Sequence, residues 1–249
     1  MTSRSQVRKL LGRGLFVLAN FYSCIHTTIE VWIEDAQSPP SLAKTRETLF
    51  SEEMTLITVM RMFSQFMVYE PPVDGKFPKS TYDSIISEIQ PIVISLALMA
   101  KKPEGLGGIS SQQEKKWLRR LASVIESTDF NSHHITSLLC HLSAAVSTGT
   151  VLPPYLSPPE PFPLARKLRT LNDGLLDRGN AEGLAFSAFA SLEVLSSLVN
   201  INLAKLIRYD ISRHCGLRIR LLGSGTLNHS SERSSSIDLS NASIRRILT

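Results

Sequence analysis

The chain has 249 residues, of which 43% are hydrophobic and 20% charged, a composition that suits a globular fold with a sizeable core. Only 7% of the residues are aromatic, and Gly and Pro are concentrated in the loops, which favours helices over a β-sandwich. The three cysteines (Cys24, Cys140 and Cys215) are far apart and form no CxxC pair, which excludes a disulfide framework and predicts reduced thiols in the cytosol.

The formal net charge is +5, and much of the excess lies toward the two ends of the chain. We interpret these basic residues as a solvated face and a basic tail. They are not interleaved with aromatic residues, as nucleic-acid binding would require, so no nucleic-acid partner is expected. An anionic membrane surface remains a candidate partner for such a charge distribution.

Apolar residues at helical spacing predict a series of long helices. In chain order, the predicted helices cover residues 6–34 and 42–69, begin near 80 and near 111, and cover 133–148 and 184–214. Prolines, glycines and capping residues separate them, with Gly149 expected as a C-terminal stop. In the second helix the apolar face contains Leu56 and Met60, and Glu52 and Glu53 are placed on the opposite face.

Two apolar stretches were considered as membrane spans. Residues 91–100 are too few to cross a bilayer. Residues 183–204 carry one charge, Glu193, together with several serines and asparagines. A central carboxylate and many polar groups oppose insertion, so the sequence predicts a buried core helix here.

The segment 151–164, with the sequence VLPPYLSPPEPFPL, contains six of the thirteen prolines of the chain. Proline fixes φ, cannot donate a backbone hydrogen bond, and moves the preceding residue out of the helical region. The segment is therefore predicted to be a stiff, extended strap between two helices, with apolar side chains that pack onto another surface. The candidate interaction residues in this strap are Leu152, Pro153, Pro154, Tyr155, Leu156, Pro159, Glu160, Pro161 and Phe162.

No sequence motif for catalysis or for cofactor binding is present. Glu193 could act as a general acid or base, but no basic residue lies within one helical turn of it, and a partly exposed or hydrogen-bonded carboxylate is expected. His134 and His141 share a helix face near Cys140, yet a zinc site needs further ligands that the sequence does not supply. We therefore expect no enzymatic activity, no cofactor and no metal.

Three segments carry a resemblance to a known family. They are SLLCHLSAAVSTGTVLPPYLSPPEPFPLARKLRTLN at 137–172, FSAFASLEVL at 186–195 and VRKLLGRGLFVLANFYS at 7–23. These segments resemble the C-terminal domain of fungal aromatic acid exporter-like membrane proteins, a branch also described as brefeldin A sensitivity-related, with an endoplasmic reticulum transporter region at the N-terminus. The resemblance extends from about residue 7 to 215, and the strap is its most specific part.

The expected fold is all-α, an antiparallel bundle of long helices covering residues 1–222, followed by a disordered Ser/Arg-rich tail at 223–249. The resemblance implies a cytosolic helical domain that supports assembly or regulation of a transporter region whose membrane spans are lacking here. Its partner would be that membrane-spanning region or a second copy of the chain. The implied location is the cytosolic face of a membrane, such as the endoplasmic reticulum.

An alternative stays open from the residues themselves. If the chain is complete as given, it is expected to be a soluble cytosolic protein. It would then be a free-standing helical scaffold that binds a protein partner, or an anionic membrane surface through its basic ends.

Overall fold

The computed structural model describes residues 3–33, 39–69, 79–100, 132–150, 152, 156–162, 165–166 and 184–208. These ranges contain five α-helices and a 3₁₀ turn, and no strand. The helices are α1 (Ser3–Ile33), α2 (Pro40–Phe66), α3 (Lys79–Met99), α4 (Ser132–Thr148) and α5 (Leu184–Arg208), and the 3₁₀ turn (Met67–Tyr69) follows α2. The prediction of an all-α fold is confirmed.

The helix boundaries follow the predicted proline and glycine signals. Pro39 is extended, with ψ 137°, and Pro40 is the first residue of α2. Proline is tolerated there because the backbone N–H groups of the first helical turn have no partner within the helix, so the missing N–H costs no hydrogen bond. Gly149 has φ +70° and donates its N–H to the carbonyl of Ala145 at 2.8 Å, which closes α4. Pro91 lies inside α3, and the helix continues through it.

Several predictions concern residues outside the described ranges. These are the helix beginning near 111, the part of the last helix beyond Arg208, and the tail at 223–249. All described residues belong to one compact unit, Met1–Leu217. The boundary at residue 222 stays a prediction.

Hydrogen bonds between the first three helices show that these helices run antiparallel in succession. Between α1 and α2, Cys24 lies near Leu42 and Arg13 bonds to Glu52, so the residue numbers rise along one helix as they fall along the other. Between α2 and α3, the side chain of Arg61 bonds to Gln90, and that of Ser64 bonds to Asp83. Short connections between antiparallel helices are typical of helix bundles.

Helix α1 is central, since it packs against α2, α3 and α4. Its predicted apolar stripe is buried from Val7 to Ile29, as are the predicted inward faces of α3 and α4. The largest fully buried side chains come mainly from α1 and α3, with two from α2: Phe21, Leu11, Leu15, Leu18, Ile25, Ile57, Met60, Ile85, Ile86, Ile89, Ile92 and Leu96. Burial of these side chains is the main favourable term for the fold.

Helices α1 and α4 approach closely at Gly12. Ser143 donates its hydroxyl proton to the Gly12 carbonyl at 2.6 Å. A Cβ at position 12 would lie 2.1 Å from the hydroxyl oxygen of Ser147 and 3.3 Å from the Ser143 carbonyl oxygen. A side chain at position 12 would therefore force Ser147 to rotate and its neighbours to shift, so glycine favours the close approach of these two helices.

The placement of Glu53 on a solvent-facing side of α2 was wrong. Glu53 is fully buried, and a Cβ at Gly14 of α1 would lie 3.3 Å from its Oε1. Within the part of the chain that the structure describes, neither carboxylate oxygen has a hydrogen-bond partner. Glu52 is the residue that faces outward, and it accepts a hydrogen bond from Arg13 at 2.6 Å. Helical periodicity located the apolar face of α2 but could not show that α1, with a glycine at position 14, covers its edge.

Helices α3 and α5 pack against each other, and Lys205 of α5 contacts Glu88 of α3 at 3.2 Å. Within the described residues, two stretches, Lys79–Met99 and Phe189–Ile207, are long and apolar enough to cross a membrane by length and composition alone. Each is only about half buried, 50% and 44% of its span-length window respectively, so the predicted core helix at 183–204 has one buried side and one exposed side.

Candidate functional site

The predicted strap follows α4 in the chain, and its described part is neither helix nor strand from Leu156 to Phe162. Leu152 and Leu156 are half-buried and pack against the hydrophobic core. Glu160 and Pro161 are exposed, whereas Pro159 and Phe162 are half-buried. The remaining candidate residues of the strap (Pro153, Pro154 and Tyr155) lie outside the described residues.

A row of polar side chains on α5 holds the strap in place. Ser197 accepts a hydrogen bond from the Phe162 backbone N–H at 2.9 Å. Asn200 donates through Nδ2 to the Glu160 carbonyl at 2.8 Å. Because the prolines cannot donate backbone hydrogen bonds, side chains of α5 supply partners that a helix or a sheet would otherwise provide.

Glu193 completes this row. Its Oε1 accepts a hydrogen bond from the Ala165 backbone N–H at 3.0 Å, and the side chain is 5% exposed. This hydrogen bond confirms the expectation of a carboxylate that is either partly exposed or hydrogen-bonded. Glu193, Ser197 and Asn200 are four and three residues apart, so they share one face of α5. We name these three residues the α5 clamp.

The strap changes direction at Phe162, which has φ 54°, a left-handed conformation that is unusual for a residue other than glycine. Two hydrogen bonds fix this conformation, one from Phe162 N–H to Ser197 and one from Arg166 N–H to the Phe162 carbonyl at 3.1 Å. The side chains of Arg166 and Glu160 form an ion pair across the bend. Strained residues persist where the surrounding contacts over-determine them, as they do here.

The α5 clamp was not predicted as a site. The sequence analysis treats Glu193 as a single hydrogen-bonded or partly exposed carboxylate, and the serines and asparagines of the last helix as polar groups that oppose membrane insertion. The available signal was their spacing, since polar residues at positions i, i+4 and i+7 of an apolar helix define one face that requires hydrogen-bonding partners. Only the tertiary structure shows that the strap supplies those partners.

Three titratable groups elsewhere are perturbed by their surroundings. Burial raises the pKa of Glu53 to about 8, and the neighbouring charge of Glu52 adds to the rise. Burial also raises the pKa of the Cys24 thiol, an effect that Arg46 partly opposes, and that of the Tyr22 phenol. These groups are buried in the helix packing rather than gathered in one cleft.

The histidines considered as metal ligands lie on α4. His134 is exposed and His141 half-buried, with Cys140 half-buried beside them. Among the described residues, no group of three or more His, Cys, Asp or Glu side chains is arranged to hold a metal ion.

These features define an all-helical domain in which a proline-rich strap is clamped to the last helix. The chain belongs to the Brefeldin A-sensitivity protein 4-like domain family, whose model matches residues 2–211. The matched region includes all five described helices and the strap. Comparisons with curated proteins and with solved structures find no match. Membership of this family relates the chain to brefeldin A-sensitivity proteins.

Proposed function

We propose that this chain is the cytosolic helical domain of an aromatic acid exporter-like membrane protein, where it supports assembly or regulation of the membrane-spanning region. It has no enzymatic activity in this proposal, and its partner is the membrane-spanning region of the same protein family. Family membership supports a membrane-related role. The observation that carries the proposal is the exposed side of α3 and α5.

The exposed positions of these two helices are almost free of charge. On α3 the exposed residues are Ser80, Ser87, Ile94 and Leu98. On the described side chains of α5, from Phe189 to Ile207, they are Ser191, Val194, Leu198, Ile201 and Lys205. A helix that faces water normally carries charged residues on its outer side. Apolar residues on the outer sides of two neighbouring helices are typical of a surface that contacts a protein or a membrane.

The strap contributes to this proposal as a structural element. The α5 clamp orders the backbone of the strap against α5 through hydrogen bonds. Leu156 anchors the strap to the hydrophobic core. In this proposal the strap keeps α5 in position, and the outer side of α5 makes the contact with the membrane region. Self-association through the same apolar side is the competing outcome.

The test is co-purification of the tagged chain with the membrane-spanning region of a family member expressed from a second plasmid. Val194→Asn combined with Leu198→Asn places two polar groups in the contact. We expect recovery to fall at least about tenfold, because desolvating unpaired amides costs more than the 1.4 kcal/mol that a tenfold change represents.

The matched control is Phe16→Asn combined with Phe66→Asn, which changes two large apolar residues that are each 52% exposed on α1 and α2. Recovery of this control variant should equal that of the unchanged chain. Equal recovery of the α5 variant would refute the proposal. Sedimentation of the chain alone distinguishes self-association from binding to the membrane region. If the chain forms a dimer that the α5 substitutions abolish, the apolar side of α5 binds a second copy of the chain.

The alternative, a scaffold that binds anionic membranes through basic ends, makes a different prediction. Binding of the chain to vesicles containing phosphatidylserine would then weaken as salt is raised, because exposed charges are screened. Arg13 is already engaged by Glu52, which reduces the charge that the N-terminal part of α1 offers to such a surface.

A further inference from the structure

The burial of the strap repeats every three residues. Leu156, Pro159 and Phe162 are half-buried. The residues between them are exposed, namely Ser157 and Pro158, and then Glu160 and Pro161. A three-residue period is that of the polyproline II helix, which has three residues per turn. One edge of the strap therefore faces the domain, and two edges face outward.

The sequence dictates this conformation. The rings of Pro158, Pro159 and Pro161 fix φ near the polyproline II value, and the residue before each proline is restricted to the extended or polyproline II region. Covalent structure thus biases residues 157–161 strongly toward the extended and polyproline II regions. The left-handed Phe162 then ends the extended run.

The exposed edges carry a defined pattern. The segment 157–161 reads Ser-Pro-Pro-Glu-Pro, so two dipeptides that each end in proline are separated by Pro159, the residue turned toward the domain. At 3.1 Å per residue, Pro158 and Pro161 lie roughly 9 Å apart along the same edge. This is a PxxP arrangement, the pattern that aromatic-lined grooves of SH3-type modules recognise.

The strap is ordered before any partner arrives. The α5 clamp engages the Phe162 N–H and the Glu160 carbonyl, while Pro158 and Pro161 stay exposed. The ion pair between Glu160 and Arg166 balances the charge beside the second dipeptide, so an uncharged aromatic groove meets no net charge there. A ligand fixed in its bound conformation loses little conformational entropy on binding, which favours recognition.

From these observations we propose that the outward edge of the strap, Ser157–Pro158 together with Glu160–Pro161, is a preformed polyproline II ligand for a protein module with an SH3-type aromatic groove. This proposal does not depend on the proposed function, since the strap and the apolar side of α3 and α5 are different surfaces. The partner module binds the docked strap without displacing it from α5.

The test measures binding of the full chain to a panel of purified SH3 domains, immobilised and titrated to about 1 mM, where the binding free energy is only about −4 kcal/mol. At least one domain is expected to bind. Pro158→Ala and Pro161→Ala should each weaken that binding at least about tenfold, equivalent to 1.4 kcal/mol. The matched control is Pro39→Ala, an exposed proline at the start of α2, and it should leave binding unchanged.

Two variants of the clamp decide whether the docked strap is the ligand. Ser197→Ala and Asn200→Ala remove the hydrogen bonds to Phe162 and Glu160. If the docked strap is recognised, both variants bind more weakly than the unchanged chain, because the strap must then be ordered during binding. Tighter binding by these variants would overturn the proposal. So would a panel in which no domain binds, or binding that Pro158→Ala and Pro161→Ala leave intact.

Discussion

The buried carboxyl of Glu53 provides a sharp test of the packing between α1 and α2. Glu53→Gln keeps the size and shape of the side chain and removes its ability to ionise. The side chain is fully buried, and neither of its oxygens has a hydrogen-bond partner among the described residues. The charged form is therefore strongly disfavoured in the folded protein, since a buried charge without a partner loses its hydration and gains nothing in return.

The magnitude follows from the pKa. Burial, with the charge of Glu52 as a second cause, raises the pKa of Glu53 from 4.5 to about 8. Each pKa unit corresponds to 1.36 kcal/mol, so ionisation of Glu53 reduces the free energy of unfolding by at most about 5 kcal/mol. Between these two pKa values the folded state holds a proton that the unfolded state has released. The contribution of this carboxyl to stability is therefore fully present below about pH 4.5, is lost as the pH rises toward 8, and does not change further above that value.

The assay is urea unfolding followed by far-ultraviolet circular dichroism at a series of pH values from about 5 to 9. The free energy of unfolding falls by about 1–3 kcal/mol for each molar of urea. For the unchanged chain, the difference in stability between the lowest and the highest pH therefore corresponds to a change of roughly 2 M in the urea midpoint. In Glu53→Gln this contribution should be absent. The variant should therefore gain stability relative to the unchanged chain as the pH rises.

Glu52→Gln is the matched control, because it removes a carboxylate one residue away that is partly exposed and paired with Arg13. Exposed ion pairs contribute about 0–1 kcal/mol, so this variant should retain most of the pH dependence. Parallel pH profiles for the unchanged chain and Glu53→Gln would refute the reasoning. That result would mean that the carboxyl is hydrated or paired in solution.

Three further substitutions test the helix contacts and the strap. Gly12→Val should lower the free energy of unfolding by about 1–3 kcal/mol in urea titrations, because its Cβ would lie 2.1 Å from the Ser147 hydroxyl oxygen; unchanged stability would contradict the close approach of α1 and α4. Asn200→Ala should cost about 1–2 kcal/mol and speed limited proteolysis of the strap, because the Glu160 carbonyl loses its donor; equal cleavage rates would argue against the clamp. Gly149→Ala should lower the melting temperature, by the equivalent of about 1 kcal/mol, since φ is +70° there, and an unchanged temperature would contradict that conformation.

The helices and their apolar faces could be predicted from the sequence because both depend on local spacing. Residues such as Leu11, Leu18 and Ile25 recur with the period of a helix, and all three are buried in α1. Prolines and glycines gave the boundaries for the same reason, since their effect on φ is local, as at Pro40 and Gly149. The extended strap followed from covalent geometry alone.

Other features depend on which helix lies beside which, and periodicity carries no such information. Glu53 belongs to a polar pair in the sequence, yet α1 covers it, because Gly14 lets the two helices approach. The sequence predicts a buried core helix at 183–204, because composition does not show which side of a helix stays exposed, as Val194, Leu198 and Ile201 of α5 do.

By itself, the sequence of this protein determined an all-helical chain with a rigid proline strap, because those properties arise from backbone geometry and hydrophobic spacing. Only the tertiary structure decided where the strap lies. Its backbone requires partners that its prolines cannot provide for one another, and the polar face of α5, with Ser197 and Asn200, satisfies that requirement. The same contact turns Pro158 and Pro161 outward, where a partner can reach them.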